Sequence, residues 1–192
     1  MSSKLFLASS SPRRKELFEQ IGIVFEIVIA PVEEVALPNE SPKSFAIRMA
    51  VEKAMAGYDK LSGEDIFVVG GDTIVILEDK VFGKPKHQQD AIKMLTLLSG
   101  KTHRVISAVA IVHKGVVLFD TSETKVTFKT LTPIEIMTYW QTSEPKGKAG
   151  AYAIQGLGAS FIKNIEGSYS GVMGLPLFEL SALLSKVGFY AE

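Results

Sequence analysis

The sequence predicts an α/β protein in which helices flank a mixed β-sheet, because strand–helix units alternate with hairpins along the chain. In the first half, short apolar runs are followed by stretches with helical periodicity, which is typical of strands joined by helices. Between residues 102 and 128, apolar and polar residues alternate, which is typical of an antiparallel meander. The length of 192 residues fits one domain over residues 1–192, or one domain with two unequal lobes.

Two strands and two helices are predicted before residue 60: the strands cover residues 4–8 and 25–29, and the helices cover residues 11–22 and 41–58. Each predicted helix begins at a Ser-Pro pair, because serine is a good N-cap and proline suits the first helical position. Gly22 ends the first helix because glycine readily adopts the left-handed conformation that follows many helices. The loop over residues 31–40 carries the adjacent acids Glu33 and Glu34.

After residue 60, the predicted elements are a strand at 66–69 that resumes at 74–77, a helix at 87–99, strands at 102–112, 116–119 and 124–128, and helices that begin at Thr132 and near Pro176. Glu78-Asp79 predicts a hairpin turn, and Thr132 with Glu135 predicts a capping box. The glycine-rich stretch over residues 147–174 is assigned no strand or helix.

The composition excludes several classes of protein. Lysine plus arginine and aspartate plus glutamate both number 21, so the net charge is zero, which argues against broad binding to nucleic acid or to an anionic membrane. The absence of cysteine excludes disulfides, thiolate catalysis and a cysteine-based zinc site. The longest apolar run, residues 105–112, is too short to span a membrane, and the apolar stretch near the N-terminus is too short for a signal peptide. We therefore expect a cytoplasmic protein with no nucleic-acid or membrane partner.

The segment from Ser9 to Arg14 is a candidate anion site. It places three serines and two arginines at the start of the first predicted helix, where backbone N–H groups favour an anion. Two arginines in that turn oppose the helix dipole, at a cost of roughly a few tenths of a kcal/mol each unless an anion compensates them. Serine hydroxyls and guanidinium groups together suit phosphates. A solvated basic turn with a serine cap is an equal alternative from this segment alone.

Asp72 is the central candidate for catalysis. It follows an apolar strand and two glycines, and ligands of α/β proteins gather at the carboxyl ends of strands. The glycines permit close backbone approach, so Asp72 is placed to hold a hard metal ion or to activate water. An ordinary turn aspartate is the weaker alternative, because Asp72 lies between two apolar strand segments. A carboxylate from the Glu33-Glu34 pair would complete a magnesium site, although an acidic loop on its own is usually just solvated.

Three further side chains are candidates for binding a charged or polar ligand: Lys53, Lys84 and Gln155. Either lysine could neutralise phosphate charge, and Gln155 could read a base edge through its paired donor and acceptor atoms. Each of them, taken singly, is more often an ordinary surface residue. Tyr139 and Trp140 are interpreted as helix packing.

Seven segments closely resemble the Maf family, and they follow one another in the family's order over nearly the whole chain. They are Leu7-Ala8-Ser9-Ser10-Ser11-Pro12-Arg13-Arg14, Glu33-Glu34, Glu52-Lys53-Ala54, Gly71-Asp72-Thr73, Gly83-Lys84-Pro85, Leu98-Ser99-Gly100-Lys101-Thr102-His103 and Lys148-Ala149-Gly150-Ala151-Tyr152. The resemblance implies a nucleoside triphosphate pyrophosphatase that forms a homodimer. It also implies a two-lobed α/β fold around an elongated mixed β-sheet, similar to the fold of the inosine triphosphate pyrophosphatases.

The resemblance implies a role for each candidate residue as well. Asp72 matches the family's catalytic aspartate and is expected to be the general base, with Mg²⁺ or Mn²⁺ bound by Glu34 and Asp72. The family's phosphate and metal contacts match Ser9, Arg13, Arg14, Glu34, Lys53 and Lys84, and its positions linked to substrate choice match Arg13, Thr73 and Gln155. The choice of Glu34 over Glu33 rests on the resemblance alone. Gly71 stands where alanine is common in the family.

The run Ala-Tyr-Ala-Ile-Gln-Gly-Leu-Gly around Gln155 resembles the subgroup that acts on dTTP and UTP. A sister subgroup has a Ser-Glu-Gly pattern there and prefers 7-methyl-GTP. These residues leave open whether the substrate is a standard or a modified pyrimidine triphosphate.

A regulatory protein is the main alternative to an enzyme. The family has also been associated with arrest of cell division and septum formation, so the same pocket could sense nucleotides without turnover. Replacement of Asp72 by asparagine separates the two. An enzyme would lose turnover and keep its affinity for the nucleotide, whereas a sensor would keep its cellular effect.

Overall fold

The structure is a computed structural model that describes residues 3–63 and 65–189. Within these two ranges the chain forms seven strands and six α-helices. The strands are β1 (Lys4–Leu7), β2 (Glu26–Ile27), β3 (Ile66–Leu77), β4 (Lys80–Phe82), β5 (Thr102–His113), β6 (Val116–Phe128) and β7 (Ile162–Glu166). The helices are α1 (Pro12–Gln20), α2 (Pro42–Tyr58), α3 (Gln88–Leu98), α4 (Pro133–Gln141), α5 (Tyr169–Met173) and α6 (Leu177–Lys186), and two 3₁₀ turns lie at Ala149–Ala151 and Leu157–Phe161.

The strands of the described chain belong to one mixed sheet. Its order is β2-β1-β3-β5-β6-β7, and β4 pairs with β3. β1 is parallel to both β2 and β3, whereas β4 is antiparallel to β3 and β7 is antiparallel to β6. The predicted mixed sheet is therefore confirmed, and so is the hairpin turn at Glu78-Asp79, which joins β3 to β4.

The predicted helix starts are confirmed, and those of α2 and α4 carry the local hydrogen bonds of an N-cap. At the start of α2 the Ser41 hydroxyl accepts a hydrogen bond from the Ser44 amide at 3.1 Å. α4 begins at Pro133 with the predicted capping box between Thr132 and Glu135. Serine–proline and threonine–proline pairs thus mark where these helices begin.

β3 is one continuous strand of 12 residues, so the predicted break at Asp72 is wrong. Glycine inside a strand marks either a bend or a place where another backbone comes close, and at Gly70 it is the second. The parallel ladder with β1 nevertheless stops at Val69, so Asp72 lies three residues beyond the end of that ladder. The sequence predicts Asp72 at a strand end, whereas in the structure it is buried inside β3.

Three other predictions need correction. β6 is a single strand where two were predicted, because a strand with one largely exposed face tolerates polar residues along its length. β2 retains only Glu26–Ile27 of the predicted strand over residues 25–29. The glycine-rich stretch contains β7 and α5, and β7 forms because it pairs with β6, a partner that no local pattern reveals.

The chain divides into two compact units. The first unit comprises the chain up to Asp72, Ser107–Ser122 and the chain from Gly174; the second comprises Thr73–Ile106 and Glu123–Met173. The first unit contains an apolar cluster of Phe6, Ala8, Val28, Ile66 and Val68. The second contains a larger cluster that includes Leu95, Leu98, Phe128, Tyr152 and Phe161. No helix within the described ranges is long and apolar enough to cross a membrane.

His103 is a buried titratable group inside the second unit. Its Nε2 atom lies 2.9 Å from the Tyr152 hydroxyl oxygen, and its ring packs edge-on against Phe128. The Nδ1 atom is buried and has no hydrogen-bond partner among the described residues. Burial lowers the pKa of His103 to about 4, so the ring is neutral in the folded protein at physiological pH.

We expect His103 to make the protein less stable as the pH falls from 6.5 to 4. The unfolded histidine binds a proton at its ordinary pKa of 6.5, whereas the folded one resists protonation until about 4. The free energy of unfolding should therefore fall by up to about 3 kcal/mol over that window because of this residue. Urea unfolding at a series of pH values, compared between the wild type and His103→Gln, measures the effect. Equal pH slopes in the two proteins would contradict it.

Candidate active site

The start of α1 gathers three candidate side chains in the first unit. Ser11 is the N-cap as predicted, but its side chain makes no capping bond. Instead, the Ser9 hydroxyl accepts a hydrogen bond from the Ser11 amide at 3.1 Å and one from Arg14 Nη1 at 3.4 Å. Arg14 Nε donates to the Gly174 carbonyl at 2.7 Å, which fixes the guanidinium in place. The side chain of Arg13, one residue earlier, is partly buried.

Arg14 interacts electrostatically with the carboxylates of Asp72 and Glu34. Burial lowers the pKa of its guanidinium, and the negative charges of Asp72 and Glu34 oppose that shift, whereas Arg13 adds to it. Arg14 therefore interacts electrostatically with each of the other three side chains within the first unit. Arg14 and the two carboxylates, which the sequence places far apart, belong to a single charged cluster.

Lys53 contacts both carboxylates of that cluster. Its Nζ atom lies 2.7 Å from Asp72 Oδ1 and 2.6 Å from Glu34 Oε1. The side chains of Lys53 and Asp72 are only 13% and 10% exposed, whereas that of Glu34 is 43% exposed. The Lys53–Asp72 pair is thus nearly buried, and Glu34 closes it from the solvent side. Glu34, and not its neighbour Glu33, makes this contact.

The position of Lys53 follows from the close packing of α2 against β3 at Gly70. A Cβ atom at Gly70 would overlap the Ala50 carbonyl oxygen and would lie 2.5 Å from the Ala54 nitrogen. Helix and strand backbones therefore touch at this point, which only glycine permits. Because Lys53 lies one residue before Ala54, and Asp72 lies two residues after Gly70, this contact brings the ammonium and the carboxylate together.

The loop that carries Glu34 is tied to α2 by Arg48. The guanidinium forms a two-pronged ion pair with Glu40, with both N–O distances at 2.7 Å. It also donates to the Val35 carbonyl at 2.9 Å and to Glu52 at 3.0 Å. The hydrogen bonds from Arg48 lower the pKa of Glu40 to about 2. The sequence prediction missed this support, although the four-residue spacing of Arg48 and Glu52 on a helix indicates a pair.

The remaining candidates belong to the second unit. Thr73 is partly buried and directly follows Asp72 in β3, while Lys84 and Gln155 are exposed. The Gly83 carbonyl accepts a hydrogen bond from the Gly150 amide at 3.2 Å, so the chain next to Lys84 is joined to the chain that leads to Gln155.

Two residues that were missed as functional candidates, Tyr139 and Glu144, contact the backbone on both sides of Gln155. The packing predicted for Tyr139 is correct, since its ring lies edge-on against Phe161. The sequence pattern that indicates these close backbone contacts is the pair of glycines, Gly156 and Gly158, that follows Gln155.

Comparisons with known proteins identify a family and several full-length relatives. Residues 4–187 match the family model described as Maf-like protein. The dTTP/UTP pyrophosphatase of Hydrogenovibrio crunogenus is 55% identical over the full length of both chains. That of Vibrio cholerae is 47% identical over 96% of this chain and 98% of its own, and that of Pseudoalteromonas atlantica is 45% identical over 98% and 99%. The solved structure of the Staphylococcus aureus Ham1 protein is similar at a TM-score of 0.47 and 14% identity, over 66% of this chain and 72% of that chain, which is too slight to assign a fold.

We expect Gly70→Ala to destabilise the protein and Gly71→Ala to be tolerated. The added methyl group at Gly70 would overlap the α2 backbone, so helix and strand must separate, at a cost of about 1–3 kcal/mol. At Gly71 the nearest atoms lie at 3.4 Å, which is ordinary contact, so the change should stay within about 0.5 kcal/mol. Urea unfolding of the two variants measures the difference. Equal destabilisation would show that the contact at Gly70 does not control the packing.

Proposed function

The chain belongs to the Maf family, and we propose that it is a nucleoside triphosphate pyrophosphatase that converts dTTP and UTP to the monophosphate and pyrophosphate. The observation that carries the proposal is the nearly buried Asp72 carboxylate, paired with Lys53 and lying in the field of Arg14. Relatives that are 45–55% identical over almost their whole length carry the name dTTP/UTP pyrophosphatase, which supports the same reaction.

The donor atoms of the charged cluster fit a divalent cation. Glu34 and Asp72 supply hard carboxylate oxygens, and both already contact one cation, the Lys53 ammonium. Within the described ranges, no group of three or more His, Cys, Asp or Glu side chains could hold a metal ion. One or two carboxylates together with substrate phosphates are the usual ligands of Mg²⁺, so this pair is sufficient. A bound Mg²⁺ or Mn²⁺ would offset negative charge on the phosphates.

In the proposed reaction Asp72 activates the attacking water. Its Oδ1 atom is engaged by Lys53, so we assign the water to Oδ2, which orients it and accepts its proton. The water oxygen bonds to the α-phosphorus in line, and the bond from that phosphorus to the oxygen that bridges to the β-phosphorus breaks. That bridging oxygen leaves with pyrophosphate, and the nucleoside monophosphate remains.

The cations of the cluster suit the leaving pyrophosphate. An ammonium has three donors, and Lys53 uses two of them on Asp72 and Glu34, which leaves one for a phosphate oxygen. Arg13 and Arg14 stand at the start of α1, where the helix dipole also favours an anion. Ser9 and Lys84 keep the phosphate-binding roles that the family resemblance implies. Charge that develops on the leaving group is thereby stabilised.

Gln155 is the residue that we assign to base selection. Uracil and thymine present one donor between two acceptors, and a carboxamide can pair with two adjacent positions of that edge. A site built for this pairing rejects bases that lack it more strongly than apolar contacts could. Arg13 and Thr73 are assigned to substrate choice through the family resemblance. The homodimer and the cytoplasmic location stay predictions.

The purified protein should release pyrophosphate from dTTP and UTP when Mg²⁺ or Mn²⁺ is present, and EDTA should abolish the release. A panel of nucleoside triphosphates, assayed for pyrophosphate and for the monophosphate by chromatography, measures this directly. Release from neither dTTP nor UTP would refute the proposed function. Undiminished release in EDTA would refute the metal site at Glu34 and Asp72 and leave the reaction itself standing.

Asp72→Asn should reduce kcat for dTTP by about 10²–10⁴-fold, because the amide cannot accept the proton of the water. The affinity for nucleotide should persist, since the amide oxygen still accepts a hydrogen bond from Lys53. Asp79→Asn, in the exposed turn between β3 and β4, is the matched control and should leave kcat unchanged. Steady-state kinetics and equilibrium binding of dTTP measure both properties. An Asp72→Asn protein with normal turnover would remove Asp72 from the mechanism.

A further inference from the structure

Glu144 holds the backbone that follows Gln155. Its Oε2 atom accepts a hydrogen bond from the Leu157 amide at 2.9 Å, and its Oε1 atom accepts one from the Gly158 amide at 3.0 Å. The Tyr139 hydroxyl donates to the same Oε1 atom at 2.7 Å. One carboxylate thus binds three donors, two of which belong to consecutive backbone amides just after Gln155.

Tyr139 holds the backbone that precedes Gln155. Its hydroxyl oxygen accepts a hydrogen bond from the Ala153 amide at 3.1 Å while its proton is donated to Glu144. Tyr139 is buried on α4, and its ring lies 4.8 Å from that of Phe161. The hydroxyl is therefore fixed by the core of the second unit, and it connects the support on one side of Gln155 to the support on the other.

Two glycines allow the backbone to lie this close to the supporting side chains. A Cβ atom at Gly156 would overlap the carboxylate of Glu144, and one at Gly158 would lie 2.6 Å from the Tyr139 hydroxyl oxygen. A larger residue at Gly156 would displace the Glu144 carboxylate, and one at Gly158 would push the segment away from Tyr139 and Ala153. The spacing Gln-Gly-x-Gly is thus explained by contact with Glu144 and Tyr139.

The charge states of Glu144 and Tyr139 suit their roles as hydrogen-bond acceptor and donor. Burial alone would raise the pKa of Glu144, but the hydrogen bonds from Gly158, Tyr139 and Leu157, together with the charge of Lys148, outweigh it and lower that pKa. Burial raises the pKa of Tyr139, and the hydrogen bond to Glu144 raises it further, so the phenol keeps its proton and remains a donor. Hydrogen bonds to an ionised acceptor are about twice as strong as neutral ones.

We propose that Glu144 and Tyr139 are positioning residues for base selection, because they fix residues 153–158 so that the exposed Gln155 presents its amide to the pyrimidine. The inference rests on the proposed function, in which Gln155 reads the base. A two-bond pairing requires the amide to be placed to within about 0.5 Å. Gln155 itself lies at the surface, so that accuracy must come from the backbone on its two sides.

The test compares selectivity in Glu144→Gln and Tyr139→Phe with that of Gln155→Ala. Glu144→Gln replaces one acceptor oxygen by an amide group that opposes a backbone N–H, and Tyr139→Phe removes the hydroxyl but keeps the packed ring. We expect each to reduce kcat/KM for dTTP by about tenfold through KM, and to change kcat/KM for dCTP little. Glu166→Gln and Tyr169→Phe, at exposed positions of β7 and α5, are the matched controls and should match the wild type.

A double variant decides whether Glu144 acts through Gln155. If it does, Glu144→Gln combined with Gln155→Ala should show the same dTTP to dCTP ratio as Gln155→Ala alone. A further fall in that ratio, or an equal fall of kcat/KM for dTTP and dCTP in Glu144→Gln and Tyr139→Phe, would overturn the positioning role. Wild-type protein that hydrolyses neither dTTP nor UTP would overturn the proposed function itself.

Hydrogen exchange tests the support without any substrate. Amides of residues 153–158 should exchange faster in Glu144→Gln and Tyr139→Phe than in the wild type, as measured by mass spectrometry of the nucleotide-free proteins. Unchanged exchange in both variants would overturn the proposal even if the enzyme acts on dTTP. Thermal unfolding of each variant verifies that it is folded before either measurement.

Discussion

The pairing of Lys53 with Asp72 and Glu34 is the interaction on which the proposed chemistry depends. Two carboxylates held close together repel each other, and the nearly buried one would carry a desolvation cost if it had no cation. The Lys53 ammonium alone offsets both the repulsion between the carboxylates and the desolvation cost of Asp72. Its location is set by the packing of α2 on β3, which requires a glycine at position 70. A contact between two backbones thereby determines where three charged groups meet.

The sequence predicts those features of the structure that depend on residues close together in the chain. Ser41 and Thr132 mark helix starts because a cap is a local hydrogen bond, and Asp72 is recognisable as a candidate because a polar residue between apolar strand segments is unusual. The family is also recognisable from its motifs. The continuity of β3 and the existence of β7 are not predicted, because both depend on partners distant in the chain. The Arg48–Glu40 pair is missed for a different reason: Glu40 lies in the loop before α2, where no helical spacing relates it to Arg48.

The two units support their candidate residues by different means. In the first unit ion pairs hold Lys53, and Arg48 binds Glu40 and the Val35 carbonyl in the loop that contains Glu34. In the second unit hydrogen bonds to a carboxylate and a phenol fix the backbone next to Gln155. Phosphates are recognised mainly by charge, whereas a base edge is recognised by the direction of its hydrogen bonds. Ion pairs in the first unit therefore suit phosphate binding, and a fixed backbone next to Gln155 suits base selection.

The strands at the two ends of the sheet order limit pairing with other chains. A net charge of zero provides little repulsion between copies of the chain. The strand at one end of the sheet order, β2, is only two residues long and therefore offers few unpaired backbone groups to another chain. At the other end, β7 exposes Lys163, Asn164 and Glu166. Short length at β2 and surface charge at β7 thus do what net charge does not: they make these two ends of the strand order poor templates for adding a foreign strand.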